Sequence, residues 1–309
     1  MTSRQKAERM SAALKFDAAY YLLTAGQKPN SAHDSLTTRG DATKRISRAK
    51  AQEIGWHLGT RDRQTIEALA TIQLATGAQL RRLVWGEDSS AARSARRQLA
   101  KLVELRVLAR LSHRPGGVRT GHDGYVYRLD VVGQQLTTEA TPRRPREPSV
   151  AFIDHSIAVT ECYLALRMLD AASRLELIGF EAEPWCWRSY FGPGGAPQTL
   201  RPDAFVITAS GEWEDRWYLE VDRSSESPGR IRDKASNYIR YWQSGKEQLS
   251  ADVFPKVLFV VPDERRLNQL VGVLCQLPAE HWKLLQVTTT AAFAETLESG
   301  AGETVEADS

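Results

Sequence analysis

Two short runs constrain this chain more than any other part of it. Asp203-Ala-Phe-Val-Ile-Thr208 and Trp217-Tyr-Leu-Glu-Val-Asp222 have the apolar, β-branched and aromatic make-up of buried strands, yet they carry Asp203, Glu220 and Asp222. A sheet that buries Phe205, Val206, Leu219 and Val221 offers those carboxylates no solvent, so each needs a partner or a purpose. Alternate side chains on a strand share a face, so Glu220 and Asp222 are expected to point one way, with Cα atoms roughly 6.6 Å apart, and Leu219 and Val221 the other. The polar connection Ser210-Gly-Glu-Trp-Glu-Asp-Arg216 makes a hairpin of the two runs and brings Asp203 beside the pair. Three converging carboxylates repel one another unless a cation lies among them. Hard oxygen ligands suit Mg2+ or Mn2+, which can polarise a phosphodiester and activate a water. The plainer alternative is charge on a solvated strand end, paired with Arg201 or Arg223.

Charge divides the chain in two. Residues 1–149 hold 26 Lys and Arg against 14 Asp and Glu, whereas residues 150–309 hold 15 against 24, so a net charge of +3 conceals halves of +12 and −9. A basic half suits a polyphosphate partner, because each cation set against a phosphate releases condensed counterions. At 309 residues and 42% hydrophobic content the chain can bury two cores. No run approaches the roughly 18–20 apolar residues of a membrane span, and Met1 to Met10 is polar where a secretory signal needs an apolar centre. The expected location is the cytoplasm. Cys162, Cys186 and Cys275 are too widely spaced for a disulfide framework or a paired zinc site, and are expected to be reduced, buried thiols.

The expected organisation is α+β with α/β character. Residues 1–60 read as an N-terminal arm, partly helical or disordered, and residues 61–136 as a winged helix-turn-helix. Asp62 to Ala75 places Ile66, Leu69, Ala70 and Ile72 at helical spacing, Gly77 to Trp85 is a second helix, and Ser89-Ser90 caps a third running to about Leu105. Val107 to Ser112 and Tyr125 to Asp130 are strands around a glycine-rich turn, the wing. The third helix turns Leu99 and Leu102 inward and leaves Arg93, Arg96, Arg97 and Lys101 to solvent. In such a module that helix enters the major groove of double-stranded DNA, and Arg114 and Arg119 on the wing reach the backbone or minor groove. The alternative is a module used for protein contacts, with a soluble Arg face.

Residues 137–149, with three Pro and three Arg, read as a linker. Residues 150–296 follow in the order α, three β, α, β, α, β: a helix 150–172, a strand 175–187, the two acid-bearing strands, a helix 228–242, a strand 256–261, a helix 264–277 and a strand 283–288. Residues 297–309 read as a disordered acidic tail. On the helix 228–242 the apolar stripe Ile231, Ala235, Tyr238 and Trp242 has Lys234 at its edge, where its ammonium can reach the acids or snorkel to water. His155 is a candidate general base or phosphate contact, with a hydrogen-bonded core histidine as the alternative. Glu161 and Glu183 are candidates for supporting acids, and Tyr238 and Tyr241 for a covalent nucleophile.

Pro202-Asp203 followed by Glu220-Val-Asp222 resembles the Pro-Asp…Asp/Glu-x-Lys signature of restriction-endonuclease-like nucleases, whose core has the same element order. Together with the basic winged helix, Ile-Asp-His-Ser-Ile-Ala-Val at 153–159 and Lys-Ala-Ser-Asn-Tyr-Ile-Arg-Tyr-Trp at 234–242, the chain is similar to the replication-relaxation family of mobile elements, related to MOB-C class plasmid relaxases. The resemblance covers about residues 62–290. It implies a DNA-nicking or DNA-processing protein of a plasmid or integrative element, using a divalent metal and working with transfer or replication proteins. Asp222 stands where the signature places Lys, and Lys234 is the candidate replacement. A DNA-binding accessory or regulator that does not cut, and a defence nuclease, remain open, as does a homodimer.

Overall fold

The computed structural model describes residues 45–113, 124–138, 141–142, 147–251 and 253–300. Arg114, Arg119 and the expected arm up to residue 44 lie outside the described residues. The first module begins earlier than the sequence pattern indicated, at α1 (Arg48–Trp56), whose N-cap Ser47 accepts from the Lys50 amide and whose Ala51 is buried. Then come α2 (Thr60–Ile72), β1 (Ala75–Thr76), α3 (Gly77–Val84) and α4 (Ser89–Glu104). The cap of α4 is Asp88 and not the expected serines: its carboxylate accepts from the Ala91 amide at 2.7 Å. An ionised oxygen at a helix N-terminus also answers the dipole. The strands β2 (Leu108–Arg110) and β3 (Val126–Leu129) form an antiparallel hairpin, with β1 as a third strand against β3. A helix the sequence pattern did not indicate, α5 (Val131–Thr137), is capped by Asp130. These elements close over Leu69, Leu80, Leu99, Leu102, Leu108 and Val132.

The second module opens with α6 (Val150–Ala171) and β4 (Glu176–Ala182). The single strand expected over 175–187 ends at Ala182, and a separate hairpin follows, β5 (Arg188–Phe191) with β6 (Pro197–Leu200). The chain continues through β7 (Ala204–Ser210), β8 (Trp213–Val221), α7 (Pro228–Gln243), α8 (Lys246–Ala251), β9 (Lys256–Val261), α9 (Glu264–Leu274), β10 (Leu285–Thr289) and α10 (Phe293–Glu298). The last helix carries Leu297, 2% exposed, into the core, so residues 297 and 298 belong to the fold and not to the tail.

Five strands form one sheet in the order β10-β9-β8-β7-β4, antiparallel from β4 to β8 and parallel from β8 to β10. Trp217, Leu219, Val221, Leu258 and Val260 share a core with Val159, Cys162, Leu166 and Leu169 of α6 and Phe293 of α10. On the opposite face Tyr218, Val257, Phe259 and Val261 share one with Ile231, Ala235 and Tyr238 of α7 and Leu270 of α9. Helices on both faces explain why the central strands are almost continuously apolar. All three cysteines are free, but Cys275 is exposed, not buried as expected. Among the described residues no helix is long and apolar enough to cross a membrane.

Candidate functional site

The hairpin register sets Asp203 immediately before β7, with its amide donating to the Leu219 carbonyl at 3.0 Å, and so places it next to Glu220 across the sheet. One Asp203 oxygen, Oδ2, accepts from the Val221 amide at 2.7 Å. The other, Oδ1, lies 3.0 Å from Nε2 of His155. His155 arrives there because it heads the sheet-facing stripe of α6, at positions 155, 159, 162, 166 and 169, whose four other members are buried against the sheet. Burial works against a charged imidazole, but the hydrogen bond and charge of Asp203, aided by Glu183, outweigh it and raise the His155 pKa above its ordinary 6.5.

Glu220 is 2% exposed and points to the α7 face. Its Oε1 accepts from the Tyr238 hydroxyl at 2.6 Å, and its Oε2 lies 2.7 Å from Nζ of Lys234. Burial and then the charge of Asp203 push its carboxyl up to about 7, against the opposing pull of Lys234 and the hydrogen bond from Tyr238. Lys234 also reaches Glu226 at 3.0 Å. Burial opposes its charge, but Glu220, Asp203 and Glu226 together raise its pKa, so the ammonium is held charged. Glu183 is near enough to feel the same field: burial first, then Asp203, raises its carboxyl. The structure therefore brings Asp203, Glu220, Lys234 and His155 into one cluster, with Glu183 beside it.

It does not bring Asp222. The expectation of three converging carboxylates is corrected here: Asp222 lies past the end of β8, its amide donates to the Val260 carbonyl at 2.9 Å, and its Oδ2 forms an ion pair with Nε of Arg266 on α9. Both partners are buried, and Arg266 Nη2 also donates to the Glu226 carbonyl at 2.7 Å. Among the described residues no three His, Cys, Asp or Glu side chains are grouped to hold a metal ion. Asp203 and Glu220 still fit Mg2+ or Mn2+ in their donor chemistry. Each carboxylate oxygen has two lone pairs, and Mg2+ is commonly held by one or two carboxylates with waters and substrate phosphates completing the shell.

The remaining candidates fall elsewhere. Glu161 lies 3.1 Å from Nη1 of Arg82 and accepts from Gln79 at 2.8 Å, at the contact between the two modules. Arg223 pairs with Asp154 at 3.3 Å, and the Arg201 guanidinium stacks over Trp187. The Tyr238 and Tyr241 side chains are buried, and their hydroxyls are committed to Glu220 and Glu247. Burial raises both their pKa values, which disfavours the phenolate a nucleophile needs. Arg93, Arg96, Arg97 and Lys101 all stay exposed along α4. Two residues that shape these surroundings, Arg266 and Glu226, are not among those the sequence pattern singles out. Arg266 had a signal, a charge on the α9 stripe that continues through Leu270 and Val273. Glu226 had none, since it lies in the loop before Ser227, the N-cap of α7.

A family model described as replication-relaxation matches residues 66–257, more than half of the 309. The chain belongs to the replication-relaxation family. The span shared with that family runs from within α2 to the start of β9, and so contains α4, His155, Asp203, Glu220 and Lys234 but not Arg266. No curated protein matches the chain.

Proposed function

We propose that this replication-relaxation protein binds double-stranded DNA through α4 and nicks it at the Asp203–Glu220 pair, as a relaxase-like protein of a plasmid or integrative element. In this reading the first module is a winged helix and the second a restriction-endonuclease-like domain akin to that of MOB-C relaxases. The observation that carries it is the cluster itself: two acids, a charged lysine and a histidine on adjoining strand ends and two covering helices. Asp203 and Glu220 are the residues to hold Mg2+ or Mn2+. The chemistry such an ion supplies is polarisation of the phosphodiester and activation of a water.

Each side chain then has a task. Lys234 takes the position that Asp222 leaves without a lysine, and its ammonium answers charge developing on the phosphate. Tyr238 fixes the orientation of Glu220. His155 holds Asp203 in place through the contact of its Nε2 with Oδ1. Water is the nucleophile, because the hydroxyls of Tyr238 and Tyr241 are buried and engaged. Arg93, Arg96, Arg97 and Lys101 supply phosphate and base contacts.

A second reading, a DNA-binding replication or transfer accessory that does not cut, draws support from the Asp222–Arg266 pair, which closes the third acid position. Supercoiled DNA carrying the locus that encodes the chain separates the two. Relaxation with Mn2+ or Mg2+, abolished by EDTA and lost in Asp203→Asn and Glu220→Gln with binding intact, supports nicking; intact DNA under every condition, with binding retained, supports the accessory. For the binding half, Arg96→Gln with Arg97→Gln lowers the slope of log affinity against log salt by about 2. An unaltered slope removes α4 as the DNA contact.

A further inference from the structure

The contact between the two modules is built differently from a flexible joint. Helix α6 serves both. Its 155-159-162-166-169 stripe lies on the sheet, while Ile153, Ile157, Thr160 and Glu161 turn to the first module. Ile153 is wholly buried in a cluster with Leu74, Leu111 and Val126, so one core holds residues of both modules. Thr160, also wholly buried, donates its hydroxyl to the Leu74 carbonyl at 2.7 Å.

Gln79 ties the same contact by a second route. Its carbonyl oxygen accepts from the Thr76 amide at 2.9 Å and closes the cap of α3, while its amide nitrogen donates to the Ile157 carbonyl at 3.0 Å and to Glu161 at 2.8 Å. One side chain thus satisfies groups in both modules. Gln73, at the end of α2, donates to the Glu183 carbonyl, and the Glu183 amide donates to the Asp203 carbonyl at 3.1 Å. Opening a hinge here breaks the Thr160 and Gln79 bonds and exposes the apolar cluster around Ile153 to water, so the closed contact is favoured. Modules joined only by a linker share few such contacts.

We infer that the basic module and the acid pocket form one rigid body with α6 as the shared strut, and that Gln79 and Thr160 thereby fix the interval between the DNA engaged and the phosphodiester cut. Only the clause about the interval rests on the nicking reading. The described residues between Ile46 and Gly300 belong to one compact unit, in keeping with a single body. Specificity of cutting is then measured from the bound sequence and not chosen by the sequence at the cut.

Pulsed electron-electron double resonance on the full chain tests the rigid body without any cutting. Spin labels go on Glu104→Cys and Arg265→Cys, both exposed positions, in a Cys275→Ser background that leaves only buried cysteines. The expected result is one narrow distance distribution, unchanged by a DNA duplex, and at least twofold broader when Gln79→Ala and Thr160→Val are added. A broad or two-peaked distribution in the otherwise unsubstituted protein, or a jump on adding DNA, overturns the proposal whether or not the double variant folds; Thr160→Val alone provides a milder perturbation. Cut mapping tests the interval on DNA with five base pairs inserted between the protected sequence and the natural cut. The cut moving with the protected sequence supports it, and a cut staying with its flanking sequence overturns it. Intact DNA in every arm, with narrow distances retained, overturns the nicking reading and the interval while the rigid body stands.

Discussion

Glu220 and Asp222 lie two residues apart on the same face of the sheet, both almost wholly buried, and they have opposite surroundings. Glu220 meets a lysine that is 28% exposed in its side chain, a tyrosine hydroxyl and the field of a second acid. Asp222 meets a buried arginine that claims it, while its Oδ1 has no hydrogen-bond partner among the described residues. The first arrangement leaves charge available to a ligand: the two acids repel, and the lysine can exchange one anion for another. The second is closed. A strand decides which way its acids point, and the helix across from them decides whether they are chemistry or structure.

The comparison breaks most readily at Arg266. Replacing it with methionine leaves the buried Asp222 carboxyl without its cation, and is expected to cost about 3–5 kcal/mol in urea denaturation. Asp222→Leu together with Arg266→Met recovers most of that loss; a double variant no more stable than the single shows that Asp222 is not held as an ion.

The pH dependence of Glu220 sharpens the contrast. Because its pKa in the folded chain is raised from 4.5 to about 7, its contribution to stability is fully present below pH 4.5 and is lost as pH rises through about 7. That slope amounts to roughly 3 kcal/mol, and Glu220→Gln removes it, so the wild type and the variant converge at acid pH and separate at alkaline pH. Parallel stability curves contradict the burial-driven shift. A smaller effect belongs to Tyr238→Phe, which strips one donor from buried Glu220 and is expected to cost ~1–3 kcal/mol in the same denaturation experiment. No measurable change rejects Tyr238 as the residue that orients the acid.

Much of this arrangement is legible in the sequence. The runs 204–210 and 213–221 alternate or persist as strands must, and the acids among them marked the place where burial conflicts with composition. Lys234 announced itself at the edge of the α7 stripe. His155 was on a stripe too, spaced 4 and then 3 residues from Val159 and Cys162, although its reach to Asp203 depends on where β7 begins. What the sequence hid was long-range. Asp222 and Arg266 are 44 residues apart, and strand periodicity carries no information about which helix covers a strand end. The residues after Ala182 read as a continuing strand because Trp185, Cys186 and Trp187 are apolar, yet there the chain leaves the sheet and returns as the hairpin β5–β6. A linker was expected over 137–149, but its far end is tied down, since Glu147 accepts from the Ser112 amide at 2.9 Å.

The claim that Glu220 reacts while Asp222 supports is tested most directly by one rate comparison on supercoiled DNA in Mn2+: Glu220→Gln against the Asp222→Leu, Arg266→Met pair. Loss of about 100-fold or more in the first, a scale typical of removing one charge-stabilising group from an active site, with the pair within about tenfold of wild type, is the expected result. A pair variant that folds and binds DNA but is as inactive as Glu220→Gln would return Asp222 to the reaction and contradict the account.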